Sequence, residues 1–248
     1  MSSSLSRTSA EKLKLAKSVS EVHLRVLRSS EDLALSHKMV EGHRRVLKAY
    51  GINKISSFNS DWIGREDVIL IAAMSADGER VLAGTRLQSG PEPEGFPLYK
   101  AVGEMDKNIS PWLKSIIPEG TIELNGMWNS IELAGMGLGV EWMVQSAMAS
   151  MSMLDLRNLL ALTSPVTRKM RDRMGWKIHD EFGDEGYFKY PTEKLRASIE
   201  HFIFPDDLPK SVPEVKVFME GIWAAPIGNV MHFEGPKGKL KVIFNFSI

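Results

Sequence analysis

The stretch "ELAGMGLGVEWMV", Glu132 to Val144, sets Gly135, Gly137 and Gly139 directly ahead of an apolar run that reads as a helix. A helix start carries N–H groups without partners and a partial positive charge. Glycines let the backbone close around a bulky anion, so strand, glycine loop and helix together suit a phosphate. The same glycines would also serve a tight turn that packs closely against a neighbour. A dinucleotide fingerprint is disfavoured: Trp142 fills the position of the required third glycine, and a long hairpin-bearing segment comes first. No Gly-Lys-Ser/Thr follows, which excludes a Walker loop.

Upstream, "EVHLRVLR" alternates Val22, Leu24 and Val26 against His23, Arg25 and Arg28, which predicts a half-buried strand. A helix follows, with Ser29 or Ser30 as cap, a stripe through Leu33, Met39, Val40, Val46, Leu47 and Tyr50, and Gly51 at its end. "VILIAAMSADGERVLAGTRLQ" predicts a hairpin about Asp77-Gly78. "PLYKAVGEMDKNISPWLKSI" reads as helix interrupted at Pro111, and "GTIELNGMWNS" as the strand entering the glycine loop. Beyond the loop come a helix to about Met153, the strand "LRNLLALTS", a helix from Pro165 to Gly175, and a hairpin around "GDE". Leu240, Val242, Phe244, Phe246 and Ile248 alternate through the last strand. The order predicts a mixed α/β fold with an antiparallel half and a strand–helix–strand half. Its expected parts are a mobile arm over 1–20, a main domain over 21–193 and a C-terminal extension over 194–248.

Composition narrows the function. In 248 residues, 31 lysines and arginines balance 31 acidic residues, so no overall charge draws the chain to nucleic acid or an anionic membrane. There is no cysteine, which removes thiolate metal ligands and cysteine nucleophiles. The six histidines lack ligand spacing, so no metal is expected. No run reaches the ~18–20 apolar residues of a membrane span, and no signal peptide is evident, which leaves a cytoplasmic location as the expectation.

"AGMGLGVEWMV" followed by "LLALTSPVTRKMRDRMGW" resembles the acyl-CoA loop and next elements of GNAT-type N-acyltransferases. Gly137 and Gly139 match the loop's two small positions, and Met143 and Val144 its apolar pair. The family's next pattern falls on Ser164, Thr167, Met170, Arg171, Gly175 and Trp176. "GTRLQ", "PLYKAV" and "IELNGMWNS" add a looser similarity to the acyl-homoserine lactone synthase and long-chain N-acyl amino acid synthase branch.

The resemblance implies a GNAT-like acyltransferase fold and transfer of an acyl group from a thioester, acyl-CoA or acyl carrier protein, to a small-molecule amine by direct attack. It implies a carrier arm along Leu124–Asn129, bound by Met127, Trp128 and Asn129, with main-chain N–H near Met127 or Trp128 facing the thioester. Its phosphates would meet N–H groups of Gly135, Met136, Gly137, Leu138, Gly139 and Val140, with Ser164 and Arg171 nearby. Glu123 is the candidate base for the amine, against the plainer reading of a structural ion-pair partner or an exposed strand residue. Two departures matter. Ala134 stands where the family has Arg or Gln, and Arg171 takes the place of a tyrosine acid, although arginine is a poor proton donor. They favour the competing reading of a non-catalytic thioester-binding module. Arg168, Lys169, Arg171 and Arg173 would otherwise meet a phosphate or an acidic carrier protein, or form a solvated face. The methionines from Met127 to Met153 would line an acyl tunnel or fill the core.

Overall fold

The computed structural model describes residues 19–49 and 60–248. Residues 1–18 of the arm and the first helix's proposed end at Tyr50 and Gly51 lie outside the described residues, while Val19 packs on the main core and Ser20 O accepts from Lys241 N. The chain runs β1 (Glu21–Arg28), α1 (Leu33–Ala49), β2 (Val68–Ser75), β3 (Val81–Gln88), α2 (Pro97–Val102), α3 (Ile109–Ile116) and β4 (Thr121–Asn129). It continues α4 (Glu141–Met153), β5 (Asn158–Thr163), α5 (Arg168–Arg173), β6 (Lys177–Ile178), β7 (Phe188–Lys189), β8 (Arg196–Ile203), α6 (Pro213–Ala224), β9 (Ile227–Gly235) and β10 (Gly238–Phe246). One mixed sheet has the order β6-β8-β5-β4-β3-β2-β1-β10-β9, with β7 also on β8. The mixed α/β expectation holds, with antiparallel β1–β4 and the parallel pair β4–β5.

Alternation decides which face each strand gives to which helix. In β2, Val68, Leu70, Ala72 and Met74 join Leu35, Met39 and Val46 of α1 on one face. Ile69, Ile71 and Ala73 point the other way, into the main core with Trp142, Ala147, Met148 and Met151 of α4 and Phe218 and Ile222 of α6. Burial on both faces explains why β2 reads as an unbroken apolar run. α4 is itself apolar nearly all round because it lies between the sheet and α6; Ser146 and Ser150 donate their hydroxyl protons back to the carbonyls of Trp142 and Ser146.

Local chemistry departs from expectation in four places. The cap of α1 is Asp32, whose carboxylate accepts from Leu35 N at 2.8 Å, while Ser29 is buried against Ser36. Pro111 sits in the first turn of α3, where a missing N–H costs nothing, and the break lies at Gly103–Asn108. The turn at "GDE" is closed by a single antiparallel bridge, Asp184↔Tyr187, but the strands on either side do not extend it; β6 and β7 each pair with β8. The boundary at 193/194 falls ahead of β8, which pairs with β5 from Asn158↔Ile203 to Thr163↔Ser198 and so belongs to the central sheet. The chain beyond β8 is tied to the sheet as well: β10 runs parallel to β1, Glu21↔Lys241 to Val26↔Phe246.

Candidate active site

Arg86 and Gln88 of β3 stand opposite Asn125 and Glu123 of β4, all on the face that carries α1, α2 and α3. Apolar clusters cover that face on either side: one under α1, including Trp62 and Trp128, the other under α2 and α3 with Phe96, Leu98 and Leu160. Between them the face is polar. There a cavity of about 380 Å³ is lined by Arg86, Gln88, Leu98, Lys100, Glu123, Asn125, Gly126, Leu162 and Tyr190.

Glu123 is 2 % exposed, and its Oε2 accepts from the Leu98 N–H at 2.9 Å. Burial pushes its carboxyl up to about 8, against the opposing pull of the Leu98 N–H and the Arg86 charge. A carboxyl poised there exchanges protons near neutral pH with an α-amine, whose own value is ~8. Burial lowers Arg86 to about 10, partly offset by Glu123, so the guanidinium stays cationic at neutral pH. Its Cζ lies 5.3 Å from the Trp62 ring centre. Arg86 Nε and Asn125 Oδ1 are buried and meet no acceptor or donor among the described residues. Buried polar atoms are almost always bonded, so two such atoms beside one cavity mark a place for a polar ligand or water. From α1, His43 stacks on Trp128, with centroids 6.0 Å apart; burial, then Arg86, depresses it to about 4.

The backbone opens beside these groups. β4 pairs with β5 only from Thr121↔Asn158 to Glu123↔Leu160, after which β4 runs on to Asn129 and the strands part. Against β3 the register jumps from Arg86↔Asn125 to Gly84↔Trp128, so Gly126 and Met127 stand opposite Thr85 alone. This bulge rests on Gly126 at φ +63°, a conformation that side chains disfavour.

The glycine loop alternates. Leu133, Met136 and Leu138 point into the main core, while Gly135, Gly137 and Gly139 face outward, all with positive φ. The turn between β9 and β10 lies against the first two: a Cβ on Gly137 would stand 2.5 Å from Glu234 O, and Gly135 O accepts from Lys237 N at 3.0 Å. The expected cradle over Gly135 and Gly137 is therefore shared with this turn: the Lys237 side chain stands 3.2 Å from a Cβ on Gly135, and the Glu234 backbone takes the space at Gly137. Gly139 is different. The nearest neighbour of a Cβ there is Glu141 N at 3.9 Å, so the end of the loop at the α4 N-terminus is open. Asn129 Nδ2 and Trp142 Nε1 donate to Gly139 O at 3.3 and 3.1 Å and hold that end in place.

No family profile and no curated protein sequence matches the chain. Solved structures do. FeeM, an N-acyl amino acid synthase from uncultured soil microbes, aligns over 77% of this chain and 94% of its own at 12% identity, with a TM-score of 0.56. BjaI, a CoA-dependent acyl-homoserine lactone synthase, aligns over 80% and 90% at 11% identity with a TM-score of 0.48. MesI, another CoA-dependent acyl-homoserine lactone synthase, aligns over 75% and 92% at 14% identity with a TM-score of 0.46. The chain has the GNAT-type N-acyltransferase fold. At such identities, the fold is what is shared.

On this GNAT-type scaffold the residues singled out from sequence separate into groups. Glu123 lies in the cavity, and Met127 is half-buried at the bulge beside it. Trp128 is buried beneath α1, so only its backbone faces the parting strands. Met136 and Leu138 put their side chains into the core; Val140 is half-buried at the start of α4. Ser164 accepts from Val166 N and caps a single helical turn. Arg171 is the clear correction. It is 3 % exposed, lies against Glu200 with Nε to Oε2 at 2.8 Å, and stacks on Trp176 at 4.7 Å, so it faces no carrier on the surface. Thr163 donates to the other Glu200 oxygen at 2.6 Å. Met143, Met148 and Met151 are core side chains. Arg86, Gln88, Asn125 and Tyr190 were not singled out, although polar residues at alternate positions in the apolar strands "VLAGTRLQ" and "TIELNGMWN" mark a polar strip on one face.

Proposed function

We propose that this protein is an N-acyltransferase that moves an acyl group from a thioester to the amine of a small molecule, with Glu123 as the base. One observation carries the reading: a buried carboxyl held near pH 8 opens into a cavity at the point where β4 bulges and parts from β5. The carrier arm lies in the gap between the strands, its phosphates at Gly139 and Val140 and the first N–H groups of α4. The thioester carbonyl faces main-chain N–H at Met127, which stabilises the oxyanion. The amine nitrogen attacks the carbonyl carbon and gives its proton to Glu123. The C–S bond then breaks, and the thiolate takes a proton from water.

Arg86 supports an acceptor that also carries an anionic group, because its buried Nε–H has no acceptor among the described residues. FeeM is named for amino-acid acylation, and amino acids are accordingly the first acceptors to test. The assay combines acyl-CoAs of increasing chain length, and acyl carrier protein loaded likewise, with an amine panel. Released thiol is read with a chromogenic reagent, to which this cysteine-free chain gives no background, and product by mass. Thiol release with an amide product supports the reading. Binding without thiol release would make the chain a thioester-binding module, and neither binding nor release refutes both.

A further inference from the structure

The glycine loop and the C-terminal hairpin meet backbone to backbone. Gly137 lies under Glu234, and a Cβ on Gly235 would collide with Gly137 N and stand 2.5 Å from Gly135 O and 2.7 Å from the Met136 carbonyl carbon. Between them run one main-chain hydrogen bond, Lys237 N to Gly135 O at 3.0 Å, and a longer one from Lys237 Nζ to Ile131 O at 3.4 Å. On its inner side the loop is pinned by Leu133, Met136 and Leu138 in the core, and the hairpin lies against part of its outer side. The hairpin is itself braced, since β10 is laddered along β1 and α6 packs on α4. Two glycines at one crossing leave no side chain to yield, so the loop's shape is tied to the hairpin's position.

We propose that the β9–β10 turn is a working part of the donor seat, and that Gly235 is a positioning residue that fixes the shape of residues 135–139 for the carrier. The inference rests on the thioester reading above and extends it: the hairpin at the β9 edge of the sheet sets donor affinity. Gly235→Ala is the clean perturbation. Gly235 is not among the residues at positive φ, so an added methyl tests space alone, whereas Gly137→Ala would add strain at φ +88°.

In steady-state kinetics, Gly235→Ala is expected to raise the donor KM about five- to fiftyfold, with kcat and the acceptor KM within about twofold. A second measurement needs no variant: amide hydrogen exchange of residues 234–238 in the wild-type chain slows when a non-hydrolysable acyl-CoA analogue is bound. An unchanged donor KM in a Gly235→Ala protein of lowered melting temperature makes the hairpin merely structural and overturns the proposal. Unchanged exchange at 234–238 under saturating analogue overturns it as well. If wild-type protein binds no thioester at all, the donor reading itself fails, and that outcome is distinct from either of the other two.

Discussion

Replacing Glu123 by glutamine removes one titrating group and little volume, and the structure sets the size of both consequences. With the carboxyl pushed up to about 8, roughly a tenth is ionised at pH 7. An α-amine acceptor of pKa ~8 is likewise about a tenth unprotonated. Below pH 8 two protons must leave, so log kcat/KM should rise with a slope near two, flattening above. Glu123→Gln should lower the plateau by about 10²–10⁴-fold and reduce the slope to one, that of the amine. Stability moves in a defined direction. The unfolded carboxyl, at 4.5, ionises well before the folded one, so from about pH 4.5 to 8 the folded state holds the extra proton. The contribution is full below pH 4.5 and is lost as pH rises through 8, a decline of about 2–3 kcal/mol between pH 6 and 9. For a chain of this length that is roughly 5–10 °C in melting temperature, which Glu123→Gln should not lose. Stopped thiol-release rates across pH 6–9, with melts at the same pH values, test both. A Glu123→Gln enzyme with wild-type rate and slope, and the same pH-dependent melting, would refute the assignment.

Three further outcomes are expected. At Gly139, φ is +57° and the space is open, so asparagine and aspartate both fit and differ only in charge; Gly139→Asp should raise the donor KM at least about tenfold over Gly139→Asn, and equal values would remove the phosphates from the α4 N-terminus. Arg171→Met, which strands the buried Glu200, should cost about 3–5 kcal/mol by denaturation, and Arg171→Met with Glu200→Met should recover most of it; a donor KM that rises in the double variant would return Arg171 to the donor site. Burial, then the neighbouring His179 charge, depresses His201 to about 4; the unfolded ring binds its proton first, so stability present above pH 6.5 is lost as pH falls towards 4. His201→Gln should flatten that limb of the melting curve, and an unchanged limb would assign it to other groups.

Much of the fold was legible because it rests on local rules. Alternation in "EVHLRVLR", the Asp77-Gly78 turn and the final "KLKVIFNF" each fix a strand by which side chains can face a core. Errors came where a distant partner chose among local options. The turn at "GDE" forms, closed by the Asp184↔Tyr187 bridge, yet β6 and β7 do not ladder with each other because β8 takes both of them. Glu123 stood out as a carboxylate in an apolar strand, but Arg86, Gln88 and Asn125 escaped notice because only strand register sets them beside it. Arg171 reads as a surface cation from its helix, while Glu200, on a strand 29 residues later in the chain, holds it inside.

The sequence by itself determined the order of elements, the bareness of Gly135, Gly137 and Gly139, and the presence of one carboxylate in the strand ahead of that loop, since periodicity and backbone freedom are properties of neighbouring residues. Only the tertiary structure decided what the glycines are for. Gly135 and Gly137 give their space to the hairpin at Glu234–Lys237, and Gly139 alone leaves the helix end open. It also decided that Glu123 holds its proton near neutral pH, because that value comes from the loss of water around the carboxyl, and desolvation is a property of everything packed around a group.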